Sequence, residues 1–183
     1  MAVETVKKTH LWMSWQYEQE EDWVNAMSAQ GLHLRRAGVV RSTFERDASS
    51  RYTYRLDYQP GLGKGEKLAS YLELYRDAGW EHAGSFAGVW FYFRRPWQPG
   101  ESPRLYTDRD SLVAHYKRIR GVMAVMLPIN AMLLCVNGVN LLPRMSGHLW
   151  GIVVPVLAIY AAIFALLGIG IAKMSRKIKE IES

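Results

Sequence analysis

GVMAVMLPINAMLLCVNGVNLLP (residues 121–143) and LWGIVVPVLAIYAAIFALLGIGIA (residues 149–172), split by RMSGH (residues 144–148), decide what kind of protein this is. Neither run contains Asp, Glu, Lys or Arg. Each exceeds the about 20 residues of helix that a hydrocarbon core requires. The expectation is a two-helix transmembrane hairpin, with spans at 121–143 and 149–172. Pro128 and Pro155 should bend these spans only mildly, since neighbouring groups can re-satisfy the freed carbonyls. Along the second run, Ala158, Ala161, Ala165, Gly168 and Ala172 recur at 3-4-3-4 spacing; along the first, Asn130, Asn137 and Asn140 recur at 7 and 3. Close helix packing in lipid uses small residues, and asparagine there needs a hydrogen-bond partner. These stripes are therefore expected to pack on each other or on a second copy of the chain. A conduction path fits less well, because two helices without an intramembrane charge make a poor transporter.

Charge around the runs sets their orientation. Lys117, Arg118 and Arg120 precede the first, and Lys173, Arg176, Lys177 and Lys179 follow the second, while the connection has only Arg144. Basic residues favour the cytoplasmic side. Both termini are expected in the cytoplasm, with the protein in the inner membrane and a basic tail at 173–183. The net charge of +6 divides evenly: residues 1–120 hold 18 Lys+Arg and 15 Asp+Glu, residues 121–183 hold 5 and 2. Basic charge is not concentrated in the aqueous part, which argues against nucleic acid as a partner. The single cysteine, Cys135, lies in the first run and reads as a packing residue. The first ten residues lack the apolar core of a secretory signal.

Upstream lies room for one small domain, at 1–96. Residues 8–15 read as a strand, and residues 18–30 as a helix with acidic first turns. Trp23, Ala26, Met27 and Gln30 mark its expected inward face, and Gly31 its C-terminus. Residues 32–46 and 51–58 read as two strands of a hairpin. In the second, Tyr52, Tyr54, Leu56 and Tyr58 alternate with Arg51, Thr53, Arg55 and Asp57. A glycine-rich loop at 60–65 leads to a helix over 66–78, ended by Gly79, and two strands follow at 80–86 and 89–95. Both helices end in glycine before a β-rich run, a faint internal echo. The order β-α-β-β-α-β(-β) is that of a ferredoxin-like antiparallel sheet with both helices on one face, so the fold class expected is α+β. Pro96, Pro99 and Pro103, with Gly100, mark the domain boundary, and residues 97–106 read as a linker. Residues 107–120 form a juxtamembrane helix opened by a capping box at Thr107–Asp110.

Candidate chemistry is sparse. The loop Gly61–Gly65 with Lys64 precedes a helix, where backbone N–H groups favour anions, but it lacks the spacing of a phosphate-binding P-loop. His10, His33, His82, His115 and His148 show no metal-ligand spacing. Arg51 and Arg55, with Lys64, are the candidate face for a partner or ligand. No catalytic residue, cofactor or metal site is expected.

Four blocks carry a resemblance: residues 23–34 (WVNAMSAQGLHL), 51–58 (RYTYRLDY), 71–81 (YLELYRDAGWE) and 88–94 (GVWFYFR). Together they resemble the bacterial domain of unknown function 2812, over roughly residues 8–96 plus the general layout of the remainder. That resemblance implies a soluble module joined to a pair of membrane helices, without known catalytic residues. The presence of PadR-type transcriptional regulators beside some members implies membrane signalling or a stress response. The function expected is a membrane-anchored, cytoplasmic, non-enzymatic binding or sensing domain that regulates a protein partner; the associations expected are with the lipid bilayer and with a protein partner or as a homo-oligomer. The alternatives are an accessory subunit of a larger membrane complex and, less in keeping with the residues, an enzyme acting on phosphate compounds.

Overall fold

A computed structural model describes residues 4–100, 105–106, 108–141 and 150–183. The connection that holds Arg144 and His148, residues 101–104 of the proline-rich linker, and Thr107 lie outside the described residues. The chain divides into two compact units, one ending at His115 and one beginning at Tyr116.

The first unit is α+β. Its elements are β1 (Thr5–Thr9), a 3-10 turn (Ser14–Gln16), α1 (Tyr17–Ser28), β2 (Leu32–Arg36), β3 (Arg41–Arg46), β4 (Tyr52–Tyr58), α2 (Glu66–Asp77), β5 (Glu81–Phe86) and β6 (Trp90–Pro96). The strands form two three-stranded antiparallel sheets, ordered β1-β3-β2 and β4-β6-β5. Each sheet with its helix is one β-α-β-β unit, so the echo between the two halves is a structural duplication. α2, β5 and β6 begin 49 residues after α1, β2 and β3. Both second strands carry a bulge, between Leu34 and Arg36 and between His82 and Gly84. Phe44 and Phe93, at matching places in the third strands, are both fully buried. Both helices end before a glycine in the left-handed region, Gly31 (φ 71°) and Gly79 (φ 81°), which a side chain would strain.

The α+β class and the long apolar helices stand; the sheet differs in detail from a single ferredoxin-like sheet. Residues 32–46 are not one strand but a hairpin of their own, turning at 37–40, and β4 pairs with β6 instead of β3. Two contacts explain the departure. Asp47 accepts bonds from the Ser49 amide (2.9 Å) and from the Ser50 hydroxyl (2.6 Å), which turns the chain between β3 and β4. The free edge of β4 is then taken by α1. The amides of Tyr52, Tyr54 and Leu56 donate to Ser28 Oγ (2.8 Å), Asn25 Oδ1 (2.7 Å) and Glu21 Oε2 (2.9 Å). Asn25 Nδ2 also donates to the Tyr54 carbonyl (3.0 Å), as a neighbouring strand would. Residues 21, 25 and 28 share one helix face, so a row of polar side chains covers an edge that would otherwise invite another strand. The inward stripe of α1 shifts accordingly: Tyr17, Val24 and Ser28 are buried, Trp23 and Met27 half-buried, and Ala26 and Gln30 exposed.

α2 packs Leu68, Tyr71, Leu72 and Tyr75 on Trp80, Phe91 and Phe93. Trp90 and Tyr92, on the other face of β6, are buried as well. Strands β4 and β6 are therefore covered on both faces. Burying each of these aromatic side chains contributes about 2–3 kcal/mol.

α3 (Arg109–Leu141) begins in the first unit and runs on through the first apolar stretch. Asp108 accepts the Ser111 amide at 2.7 Å and caps its start. α4 spans Trp150–Glu182, so the segment 173–182 is helical too. Both helices are long and apolar enough to cross a membrane. Lys117 pairs with Glu182 (2.8 Å), and Arg120 donates to Ser175 Oγ (3.4 Å), so the basic ends of α3 and α4 lie together.

Candidate functional site

The densest constellation of polar groups in the first unit surrounds Asp57. The alternation of β4 that turns Tyr54 and Leu56 one way turns Thr53 and Asp57 under α2, and both faces are buried. Tyr71 and Tyr75, one helical turn apart on α2, donate to Asp57 Oδ2 at 2.7 and 3.0 Å. Tyr106 and His115 meet the other oxygen, Tyr106 through its hydroxyl and His115 through Nδ1 at 3.2 Å. Tyr106 and His115 also touch each other, hydroxyl to Nδ1, at 3.1 Å. Asp57 is 1% exposed and His115 is not exposed at all.

A carboxylate removed from water normally resists ionisation. Here burial pushes Asp57 upward, but the bonds from His115, Tyr106 and Tyr71 outweigh it and hold the carboxyl at about 2. Burial, and then the negative charge of Asp57, push the hydroxyls of Tyr71 and Tyr75 far above their ordinary range, so both stay donors. A carboxylate this acidic is a poor proton shuttle near neutrality. What the arrangement does is fasten four parts of the chain at one point: β4, α2, residue 106 and the first turns of α3.

A second feature lies where β2 and β5 approach each other. A polar groove of about 370 Å³ is lined by His33, Arg35, Glu45, Tyr52, Glu81 and Arg94, among others. Arg94 grips Glu81 with two bonds, 2.9 and 2.8 Å, and lies 4.4 Å from the Tyr52 ring centre. That grip lowers the Glu81 carboxyl below its ordinary value.

The residues singled out from the sequence fall in separate neighbourhoods. Arg51 stacks its guanidinium over Trp97 at 3.9 Å. Arg55 pairs with Glu21 at 3.0 Å and donates to the Tyr54 carbonyl. Lys64 is exposed in the loop before α2, where Gly61, Gly63 and Gly65 all have positive φ. In the second unit, Asn137 donates to the Tyr160 hydroxyl at 2.9 Å, and Asn130 to the Met126 carbonyl of its own helix at 2.8 Å. Asn140 is exposed, as are Ala158, Ala161, Ala165, Gly168 and Ala172. Over 150–172 the half-buried residues of α4 are instead Val153, Val156, Tyr160, Ile163, Phe164, Leu167 and Ile171, and Gly170 is buried. Within this one chain, asparagine meets tyrosine, and the small-residue seam is left exposed.

Sequence reasoning missed the Asp57 node. Its local signals were present, an acid amid aromatic residues in RYTYRLDY and two tyrosines at i, i+4 in α2. That Tyr106 and His115 join them is a tertiary fact with no local trace.

A family model described as a protein of unknown function, DUF2812, matches residues 16–127. The match takes in α1 through the first half of α3 and so contains every residue of the Asp57 node. No curated protein and no solved structure matches the chain. Since the matched span exceeds half of the 183 residues, this chain belongs to the DUF2812 family.

Proposed function

We propose that the chain is a membrane-anchored binding and sensing module, not an enzyme. In this reading the α+β unit faces the cytoplasm, the two apolar helices hold it in the inner membrane, and its state regulates a protein partner in membrane signalling or a stress response. The carrying observation is the Asp57 node, which fastens the sheet and α2 to the first turns of the helix that continues as the first apolar run. An event that moves α2 or β4 must strain or break bonds to the start of α3. Orientation rests on the seven basic residues that flank the runs. Crosslinking in intact cells, followed by purification in mild detergent, tests the reading. A defined protein should co-purify with the wild type and be lost with Asp57→Asn at equal expression. Recovery of lipid alone from the wild type would sink it.

The exposed seam of α4 favours a second reading, an accessory subunit that packs against another membrane helix or a second copy of itself. Small residues let helix backbones approach closely in lipid. Ala165→Leu should then reduce the mass of the native complex in detergent to that of one chain. An unchanged complex counts against this reading and leaves the first untouched.

A further inference from the structure

We propose that a small cavity between the two sheets binds a quaternary ammonium compound that carries an oxygen acceptor, the chemistry of choline and betaines. The cavity, about 70 Å³, lies between the segment after β1, the start of α1 and strands β5 and β6. This is several times the about 10–15 Å³ that one buried water needs. Trp12, Phe86, Trp90 and Tyr92 line it together with Glu20 and His10. Four aromatic rings and one carboxylate are the groups that attract a weakly hydrated cation: the rings by their quadrupoles, the acid by its charge.

Two further observations sharpen the ligand. Glu20 receives the Tyr92 hydroxyl at 2.6 Å, and among the described residues no basic side chain pairs with it. Burial pushes the Glu20 carboxyl up. A cation in the cavity would favour the ionised form and replace the missing counter-charge. Next, Trp12 Nε1 and His10 Nδ1 are buried without a hydrogen-bond partner among the described residues. The other nitrogen of His10 is occupied by Ser42 Oγ at 2.7 Å. A buried indole N–H without an acceptor is costly, and native proteins rarely leave one. A hydroxyl or carboxylate beside the ammonium group supplies that acceptor, whereas a bare tetraalkylammonium does not. An ordinary ammonium ion fits less well, since it is strongly hydrated and gains little from aromatic walls.

The inference gives the proposed sensing domain a ligand and rests on that reading for its purpose. Binding itself is measured on the purified full chain in maltoside micelles and needs no partner. Failure here therefore leaves the partner experiment standing, and the reverse. Isothermal titration with tetramethylammonium, choline, glycine betaine and ammonium chloride at fixed ionic strength is the test. The three quaternary compounds should bind saturably, choline and betaine more tightly than tetramethylammonium, and ammonium about tenfold more weakly or not at all. Glu20→Gln should weaken tetramethylammonium about tenfold. Trp12→Phe should keep tetramethylammonium binding and abolish the advantage of betaine over it. Competition by monomeric short-chain phosphatidylcholine assigns the site to a lipid headgroup, and lack of competition assigns it to a free solute. No saturable binding of any quaternary compound to the wild type overturns the proposal, as does equal tetramethylammonium affinity in a folded Glu20→Gln protein. If Glu20→Gln does not fold, unchanged ligand ranking in Trp12→Phe overturns it instead.

Discussion

Asp57→Asn should cost the α+β unit about 3–5 kcal/mol of stability, the range for removing one partner from a buried charged cluster. The substitution keeps the volume and removes the charge. One of the two oxygens becomes an amide NH₂, which can only donate. It then faces either the pair Tyr71 and Tyr75 or the pair Tyr106 and His115, groups that now donate to Asp57. Each buried donor left without an acceptor costs about 1–3 kcal/mol. Six of the seven tryptophans precede residue 100, so denaturation followed by tryptophan fluorescence in micelles reports mainly this unit. The pH profile adds a signature that plain loss of packing lacks. The Asp57 carboxyl is held at about 2, below its unfolded value of 3.8, so the folded state binds its proton less readily than the unfolded one. Its contribution is therefore fully present above about pH 4 and lost as pH falls toward 2, about 2 kcal/mol in all. The groups packed around it, Tyr71 and Tyr75 from α2, Tyr106, and His115 from α3, remain in the variant, so the difference between the two profiles isolates Asp57. A loss under 1 kcal/mol, or a variant that keeps the acid limb unchanged, would mean the node does not hold the unit together.

How far the fold could be read from the sequence depends on the range of the cause. The apolar runs needed only composition, and the helices only local periodicity and a glycine stop, as at Gly31 and Gly79. The pairing of β4 needed more. Its alternation in RYTYRLDY is plain, but whether it pairs with β3 or β6 depends on Glu21, Asn25 and Ser28 reaching across from α1 to occupy one edge. Those three read as ordinary surface positions, since polar residues on a helix usually face water. The duplication was audible as an echo of helix ends, while its proof, matching strand order and matching bulges, is tertiary. Asp57 was placed on the polar side of an alternating strand. That rule fails because β4 is covered on both faces, so its polar side is also an interior.

Glu21 should give the opposite pH dependence, and this is the second large effect expected. Burial pushes its carboxyl up to about 7, against the pull of Arg55 and the Leu56 amide, with Asp22 and Glu18 adding like charge. Its folded pKa lies above the unfolded value of 4.5, so the folded state holds the proton more tightly. The contribution is present below about pH 4.5 and is lost as pH rises through 7, about 3 kcal/mol in total. Glutamine at this place keeps an oxygen for the Leu56 amide and ends the titration, while Arg55 retains the Tyr54 carbonyl. Glu21→Gln should therefore gain on the wild type steadily from pH 4.5 to 8 in paired denaturation curves. The wild type's remaining slope over that range belongs in part to Glu20, which burial raises in the same direction. Parallel curves for the two proteins would refute the assignment. The reason to keep so expensive a carboxylate is positional: the free edge of β4 needs acceptors for alternate amides, and Glu21 supplies the one at Leu56. An edge cover that ionises near neutrality weakens as pH rises through 7. Asp57, on the same strand, fails only in strong acid. β4 is thus held firmly at its node and, as pH rises through 7, more loosely along its covered edge.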